Sequence, residues 1–275
     1  MQMNWVQALE TLKQVDWHVI NPLYSISGFI VGVLVGFTGV GGGSLMTPLL
    51  VLLFGIAPGT AVGTDLLYAA ITKASGTLVH GLNRTVDWRI VRRLAGGSIP
   101  ATGLTLLFLN YIGASQHGAS GLITTVLGIA LILTAITLNF RKWLLSRLAA
   151  YVEGLSDGQT RLLTNLFGAF LGVLVSISSV GAGAIGVTVL ILLYPNILSA
   201  RIVGSDIAHA VPLTLIAGIG HWFLGSIDWA LLMSLLIGSV PGIMIASRLA
   251  AFVPERVLRP VLAGALAVVG AKLSI

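Results

Sequence analysis

From residue 32 the chain reads Gly-Val-Leu-Val-Gly-Phe-Thr-Gly-Val-Gly-Gly-Gly, and from residue 172 it reads Gly-Val-Leu-Val-Ser-Ile-Ser-Ser-Val-Gly-Ala-Gly. The correspondence continues. Val62-Gly63-Thr64-Asp65 matches Val203-Gly204-Ser205-Asp206, His80 matches His221, Asp87-Trp88 matches Asp228-Trp229, and Pro100 matches Pro241. The offset is 140 residues in the first block and 141 afterwards, so one slip near residues 55 to 61 aligns both copies. An internal duplication with glycine-broken apolar runs in matching places is the pattern of a membrane transporter built from two structural repeats.

Composition places those repeats in a bilayer. Hydrophobic residues make up 56% of the chain and charged residues 9%, against roughly 25% charged in a soluble domain. The 34 glycines are too many for ordinary helices in water, but small residues let membrane helices approach closely and let broken helices line a cavity. The formal charge of +6 does not point to nucleic acid. Its arginines lie between apolar runs instead of forming a basic face interleaved with aromatics, and they read as topology signals. With no cysteine, the chain has no thiolate metal site and no cysteine nucleophile. Residues 1–20 lack the basic start and long apolar stretch of a cleavable signal. Trp5, Val6, Leu9, Leu12, Val15 and Trp17 among polar neighbours predict an amphipathic segment over 1–21 lying in the interface.

Apolar runs fall at roughly 22–38, 44–57, 62–83, 89–110 and 118–139, then at roughly 162–178, 183–195, 203–224, 229–248 and 256–273. The expected fold class is therefore an all-α polytopic membrane protein with five hydrophobic segments per repeat. Repeat 1 spans 22–140, a cytoplasmic linker 141–161, and repeat 2 spans 162–275. The second run of each repeat is short of the ~20 residues a crossing needs, so the first two segments of each repeat are broken or re-entrant at their glycine motifs. Arg84, Arg89, Arg92 and Arg93 at one junction, and Arg141, Lys142, Arg147 and Arg161 between the repeats, mark cytoplasmic sides. In the second copy the equivalent junction, 225–228, carries no Lys or Arg, while Arg248, Arg256 and Arg259 mark the next loop. The repeats are thus expected to be inverted, with both chain ends outside.

The Gly-Val-Gly-Gly-Gly-Ser-Leu-Met-Thr-Pro stretch at 39–48, the Val-Gly-Thr-Asp at 62–65, the Asp87-Trp88 pair and the weaker second copy resemble the TauE/SafE family of sulfite and organosulfonate exporters. The resemblance runs from about residue 22 to the end. It implies a multi-pass protein of a bacterial cytoplasmic membrane that exports small sulfur-containing anions such as sulfite, sulfoacetate or related sulfonates.

Breaking a helix in the membrane frees backbone N–H groups, and an anion is a good partner because a helix N-terminus carries roughly +0.5 of a charge. Gly41, Gly42 and Gly43 permit such a break, and Ser44 and Thr47 add hydroxyl donors. Ser178, Ser179, Gly181 and Gly183 take the same part in the second copy. The plainer alternative is that these glycines serve helix packing. Lys73 is the one cation deep within an apolar run, and an intramembrane cation is by default a candidate facing a cavity; a helix-docking pair with Asp65 is the competing reading. On a wheel of ~100° per residue, Lys73 and His80 fall about 80° and 60° from Asp65, on one face. Repeat 2 places Asp206, His209, Thr214 and His221 on the corresponding helix, with Thr214 where repeat 1 has Lys73. One cation for two copies fits a single asymmetric anion site.

Asp65, His80, Asp206, His209 and His221 are candidates for coupling or gating, since imidazole titrates near neutrality and a proton is the candidate coupling ion. Against this, each His could bond a carbonyl at a helix end, and Asp65 and Asp206 could cap helices. Asp87 and Asp228 read as caps beside interfacial tryptophans. The partners expected are a small anionic substrate, the lipid bilayer and a coupling proton, with no cofactor, no metal and no nucleic acid. No P-loop is present, so the chain supplies no ATP-driven step. A secondary transporter working by alternating access fits best. The alternatives are an anion channel, or an importer of another small anion such as sulfate, thiosulfate or a carboxylate; an intramembrane metalloenzyme lacks the i, i+4 histidine spacing of a helical zinc site.

Overall fold

A computed structural model of the chain describes residues 20–38, 43–82, 85–113, 120–152 and 154–249. The amphipathic segment expected over 1–21 lies outside these except for its last two residues, and so does the apolar run at 256–273. Among the described residues the structure is all-helical. The elements are α1 (Pro22–Thr38), α2 (Gly43–Leu52), α3 (Pro58–Leu82), α4 (Trp88–Tyr111), α5 (Ser120–Val152), α6 (Asp157–Ser178), α7 (Ala184–Leu193), α8 (Ser199–Phe223) and α9 (Trp229–Leu249).

Helix ends follow local chemistry. Ser156 and Gln159 form a reciprocal capping box at the start of α6. Asp87 accepts the Arg89 amide at the start of α4, and Asp228 accepts the Leu231 amide on α9, as expected of caps. Their own amides are also matched: Asp87 N–H donates to the Ser205 hydroxyl on α8, and Asp228 N–H to the Thr64 hydroxyl on α3. α5 does not stop at the end of its apolar run. It bends at Phe140 (φ −102°, ψ 15°) and stays helical to Val152, carrying Arg141, Lys142 and Arg147 on the stretch read from sequence as a linker.

The two short helices turn back on the helices before them. Tyr24 near the start of α1 meets Phe54 just past α2, ring edge to ring face with centroids 4.8 Å apart. Thr164 in the first half of α6 meets the Tyr194 hydroxyl at the end of α7, 2.9 Å apart. Each ten-residue helix is about 15 Å long, half the ~30 Å hydrocarbon thickness.

Packing pairs α1 with α9, α4 with α6, and α3 with α8. In the first two pairs the contacts are backbone to backbone. A Cβ at Gly28 or Gly32 of α1 would overlap the carbonyls of Leu235 or Ser239 on α9, and one at Gly168 or Gly172 of α6 would overlap those of Leu94 or Ser98 on α4. Small residues four apart open such grooves, since dispersion and not water exclusion holds membrane helices together.

Burial is arranged for lipid. Leu104, Leu107 and Phe108 on α4, Leu162 and Leu166 on α6, and Ile26 and Ile30 on α1 point outward, whereas Thr47, Asp65, Ser98, Asp206, His209, Thr214 and Ser239 are buried. Interior hydroxyls are satisfied mainly by carbonyls one turn back, as in Thr134 to Ala130, Ser176 to Gly172 and Thr214 to Ala210. Four of the described helices, α5, α6, α8 and α9, are long and apolar enough to cross a membrane.

Candidate functional site

The buried polar groups collect where α3 and α8 cross and where α2 and α7 begin. Asp65 is the eighth residue of α3 and Asp206 the eighth of α8. Neither caps a helix, so that alternative falls away. Asp65 is fully buried. The Thr47 hydroxyl of α2 donates to its Oδ2, the Thr47 amide faces it, and the Ser179 hydroxyl lies beside it. Its Oδ1 has no hydrogen-bond partner among the described residues.

Ser179 stands at the break between α6 and α7. It caps α6 in the left-handed conformation (φ 59°), and Gly181 and Gly183 follow at φ 124° and 126°. Positive φ there is what ends one helix and redirects the next, and it strains Ser179 by the ~1 kcal/mol that a non-glycine residue loses in this region. Ser178 serves the break itself: its hydroxyl donates to the Leu174 carbonyl and accepts the Val180 amide. α7 then starts at Ala184 with no side-chain cap. What faces the amide of its N-cap residue, Gly183, is the carboxylate of Asp206. Gly186 makes this approach possible, because a Cβ there would overlap Asp206 Oδ1. That oxygen also has no hydrogen-bond partner among the described residues, and Asp206 is 1% exposed.

Lys73, eight residues beyond Asp65 on α3, is part-buried. Its charge acts on Asp206, on Asp65 and on His209, yet it forms no direct ion pair among the described residues.

Two ring-to-serine contacts brace this centre. His209, one turn beyond Asp206, shares a 2.8 Å hydrogen bond through Nε2 with the Ser98 hydroxyl on α4, and its Nδ1 has no partner among the described residues. Tyr68, one turn beyond Asp65, lies beside the Ser239 hydroxyl on α9, with neither oxygen completing a well-formed hydrogen bond among the described residues. Sequence reasoning singled out His209 but missed Tyr68, Ser98, Ser239 and Gly186. A signal existed for three of them: Ser98-Ile99-Pro100 and Ser239-Val240-Pro241 are matching positions, and Tyr68 aligns with His209.

The structure thus brings together Thr47, Asp65, Lys73, Ser179, Gly183, Asp206 and His209, with Gly181 in the same break. His221 stands apart. It lies fifteen residues beyond Asp206, ~22 Å along α8, and its Nε2 meets the Ser176 carbonyl at 2.9 Å. Gly41 and Gly42 lie outside the described residues, and of Gly43, Ser44 and His80 only the helical backbone is described.

A second polar cluster occupies the end where α4, α6 and α8 begin. Arg93, 8% exposed, donates to both oxygens of Asp157 and to the Tyr194 hydroxyl. Arg89 also pairs with Asp157, and Arg201 lies 3.8 Å from Asp87. Beside them opens a cavity of about 890 Å³ lined by Arg89, Leu145, Asp157, Tyr194 and Asn196 among others.

A lipid-facing helical shell around buried carboxylates, hydroxyls and a lysine defines a multi-pass membrane transporter. The family described as "Sulfite exporter TauE/SafE" matches residues 24–273. The chain belongs to that family. It is 40% identical over 249 residues to the probable membrane transporter protein YjnA of Bacillus subtilis, covering 90% of this chain and 97% of that one. Identity is 28% over 234 residues to YdhB of the same organism, covering 84% and 91%, and 27% over 213 residues to MJ0441 of Methanocaldococcus jannaschii, covering 74% and 73%; both are also named probable membrane transporter proteins. No solved structure matches the chain.

Proposed function

We propose that the protein is a secondary transporter that exports small sulfur-containing anions, such as sulfite, sulfoacetate or related sulfonates, from a bacterial cytoplasm by alternating access. The observation that carries this reading is that Lys73 and the start of α7, which has no side-chain cap, both bear on the buried Asp206 carboxylate, so that a cation and a helix N-terminus serve one buried centre. The family name supplies the sulfur-anion class.

Two inverted repeats provide the moving parts. Support comes from contacts that occur twice at the sequence offset. Gly28 and Gly32 on α9 are answered by Gly168 and Gly172 on α4, Asp87 on Ser205 by Asp228 on Thr64, and Tyr24 on Phe54 by Thr164 on Tyr194. On this reading α1–α2 and α6–α7 are re-entrant hairpins entering from opposite sides. Arg89, Arg93 and Arg201 gather at one end, which the positive-inside rule assigns to the cytoplasm and which puts both chain ends outside.

Counterflow in proteoliposomes tests the reading. Vesicles preloaded with unlabelled sulfite or sulfoacetate should take up labelled substrate transiently and saturably. Conductive, non-saturating flux would make the protein an anion channel instead.

A further inference from the structure

Asp206 already occupies the place that an anion would take. Its carboxylate lies against the Gly183 amide at the start of α7, in the gap left by Gly186, and within the field of Lys73. A free anion seated between Lys73 and α7 would meet that carboxylate in an interior where like charges repel far more strongly than in water. Asp65 adds a second negative charge near Lys73. Three full charges of one sign around a single ammonium are not a workable site unless one is neutralised.

We infer that Asp206 is a built-in competitor for the anion site, and that each monovalent anion binds together with one proton taken up by the Asp206 carboxyl. This rests on the reading that Lys73 and the start of α7 hold the transported anion. The charge balances: the carboxylate gains a proton and loses its charge of −1, the anion brings −1, and the net charge of the site is unchanged.

The neighbouring groups single out Asp206. Asp65, on α3, accepts the Thr47 hydroxyl of α2 and is flanked by Ser179 from the break after α6, so protonating it would sacrifice a charge-assisted hydrogen bond. Asp206 has no hydroxyl donor among the described residues, only the backbone of α7. His209 on the same helix is engaged through Nε2 by Ser98 of α4, and charging it would set a second cation beside Lys73. From α3, Lys73 and Asp65 complete the charged groups that face this centre among the described residues.

The consequence is a substrate rule. A sulfonate without a cationic group needs the proton, whereas one that carries its own ammonium brings the counter-charge for Asp206 with it. Isethionate and taurine differ only in hydroxyl against ammonium, and binding of each to the full-length, detergent-purified protein can be followed by calorimetry across a pH series. Isethionate affinity should weaken about tenfold per pH unit on the alkaline side, with about one proton taken up per anion in unbuffered solution. Asp206→Asn should bind isethionate with no such slope. The proton count on the wild-type protein stands even if that variant does not fold. Isethionate binding that is independent of pH and takes up no proton would overturn the inference. Binding of taurine alone, with isethionate rejected at every pH, would overturn it as well. If neither ligand binds to either protein, the sulfonate reading itself fails, and the inference with it.

Discussion

Replacing Thr47 with Val removes one hydroxyl and keeps the side chain's shape, and the structure says what that hydroxyl holds. It donates to Oδ2 of Asp65, which is fully buried and whose other oxygen has no partner among the described residues. A hydrogen bond to a charged group contributes about 1.5–3 kcal/mol, while side-chain hydrogen bonds between membrane helices average only about 0.6 kcal/mol. The two figures separate an ionised Asp65 from a neutral one. With the carboxylate charged, Thr47→Val should cost about 2 kcal/mol, a shift of roughly 30-fold in the folded-to-unfolded ratio. In an Asp65→Asn background the same change should cost about 0.6 kcal/mol, leaving a coupling energy above 1 kcal/mol in the cycle. Reversible denaturant unfolding in micelles, followed by tryptophan fluorescence, measures all four proteins. Equal cost in both backgrounds, or a loss below about 0.5 kcal/mol with Asp65 intact, would refute the view that α2 holds a charged Asp65 at the centre.

Other perturbations follow from the same packing. Gly168→Leu should prevent recovery of folded protein, because its side chain has to enter the Leu94 backbone, whereas Gly103→Ala, with nothing within 4 Å, should be neutral or stabilising by up to about 1 kcal/mol. Size-exclusion profiles and melting temperatures distinguish the two. Arg93→Ala should lower the melting temperature more than Arg89→Ala, since Arg93 is buried and grips both oxygens of Asp157 while Arg89 is exposed; the reverse order would contradict the network. His221→Gln should reduce stability and leave the pH dependence of anion binding intact, because His221 bonds a backbone carbonyl far from Asp206. A pH profile flattened by that substitution would return His221 to the coupling machinery.

Much of the architecture was legible because apolar runs and glycine breaks are local signals. The run at 22–38 coincides with α1, and the break before α7 falls on Ser179 to Gly183. Boundaries slipped where helix persisted through polar sequence. α6 begins at Asp157 and not near 162 because a capping box starts it, and α5 continues past Phe140 because the Arg, Lys, Leu and Ala residues that follow are good helix formers. At the site, Asp65, Lys73 and Asp206 stood out as charges in apolar surroundings. Their supports did not. Ser98 and His209 are 111 residues apart, and Tyr68 and Ser239 meet across helices from different halves of the chain. Gly186 looked like any small residue until Asp206 was seen lying against it. The arginines read as topology signals also proved to be structural, since Asp157 draws Arg89 and Arg93 together.

The account turns on Lys73 and the start of α7 forming one anion site. Thermal stabilisation of the detergent-purified protein by sulfite, sulfoacetate, isethionate, sulfate, thiosulfate and acetate tests this most directly, since a ligand of the native state stabilises by RT ln(1+[L]/Kd). A sulfur-containing anion should raise the melting temperature selectively in the wild-type protein and leave a folded Lys73→Ala variant unmoved. Equal stabilisation of Lys73→Ala by the same anion would place the site elsewhere.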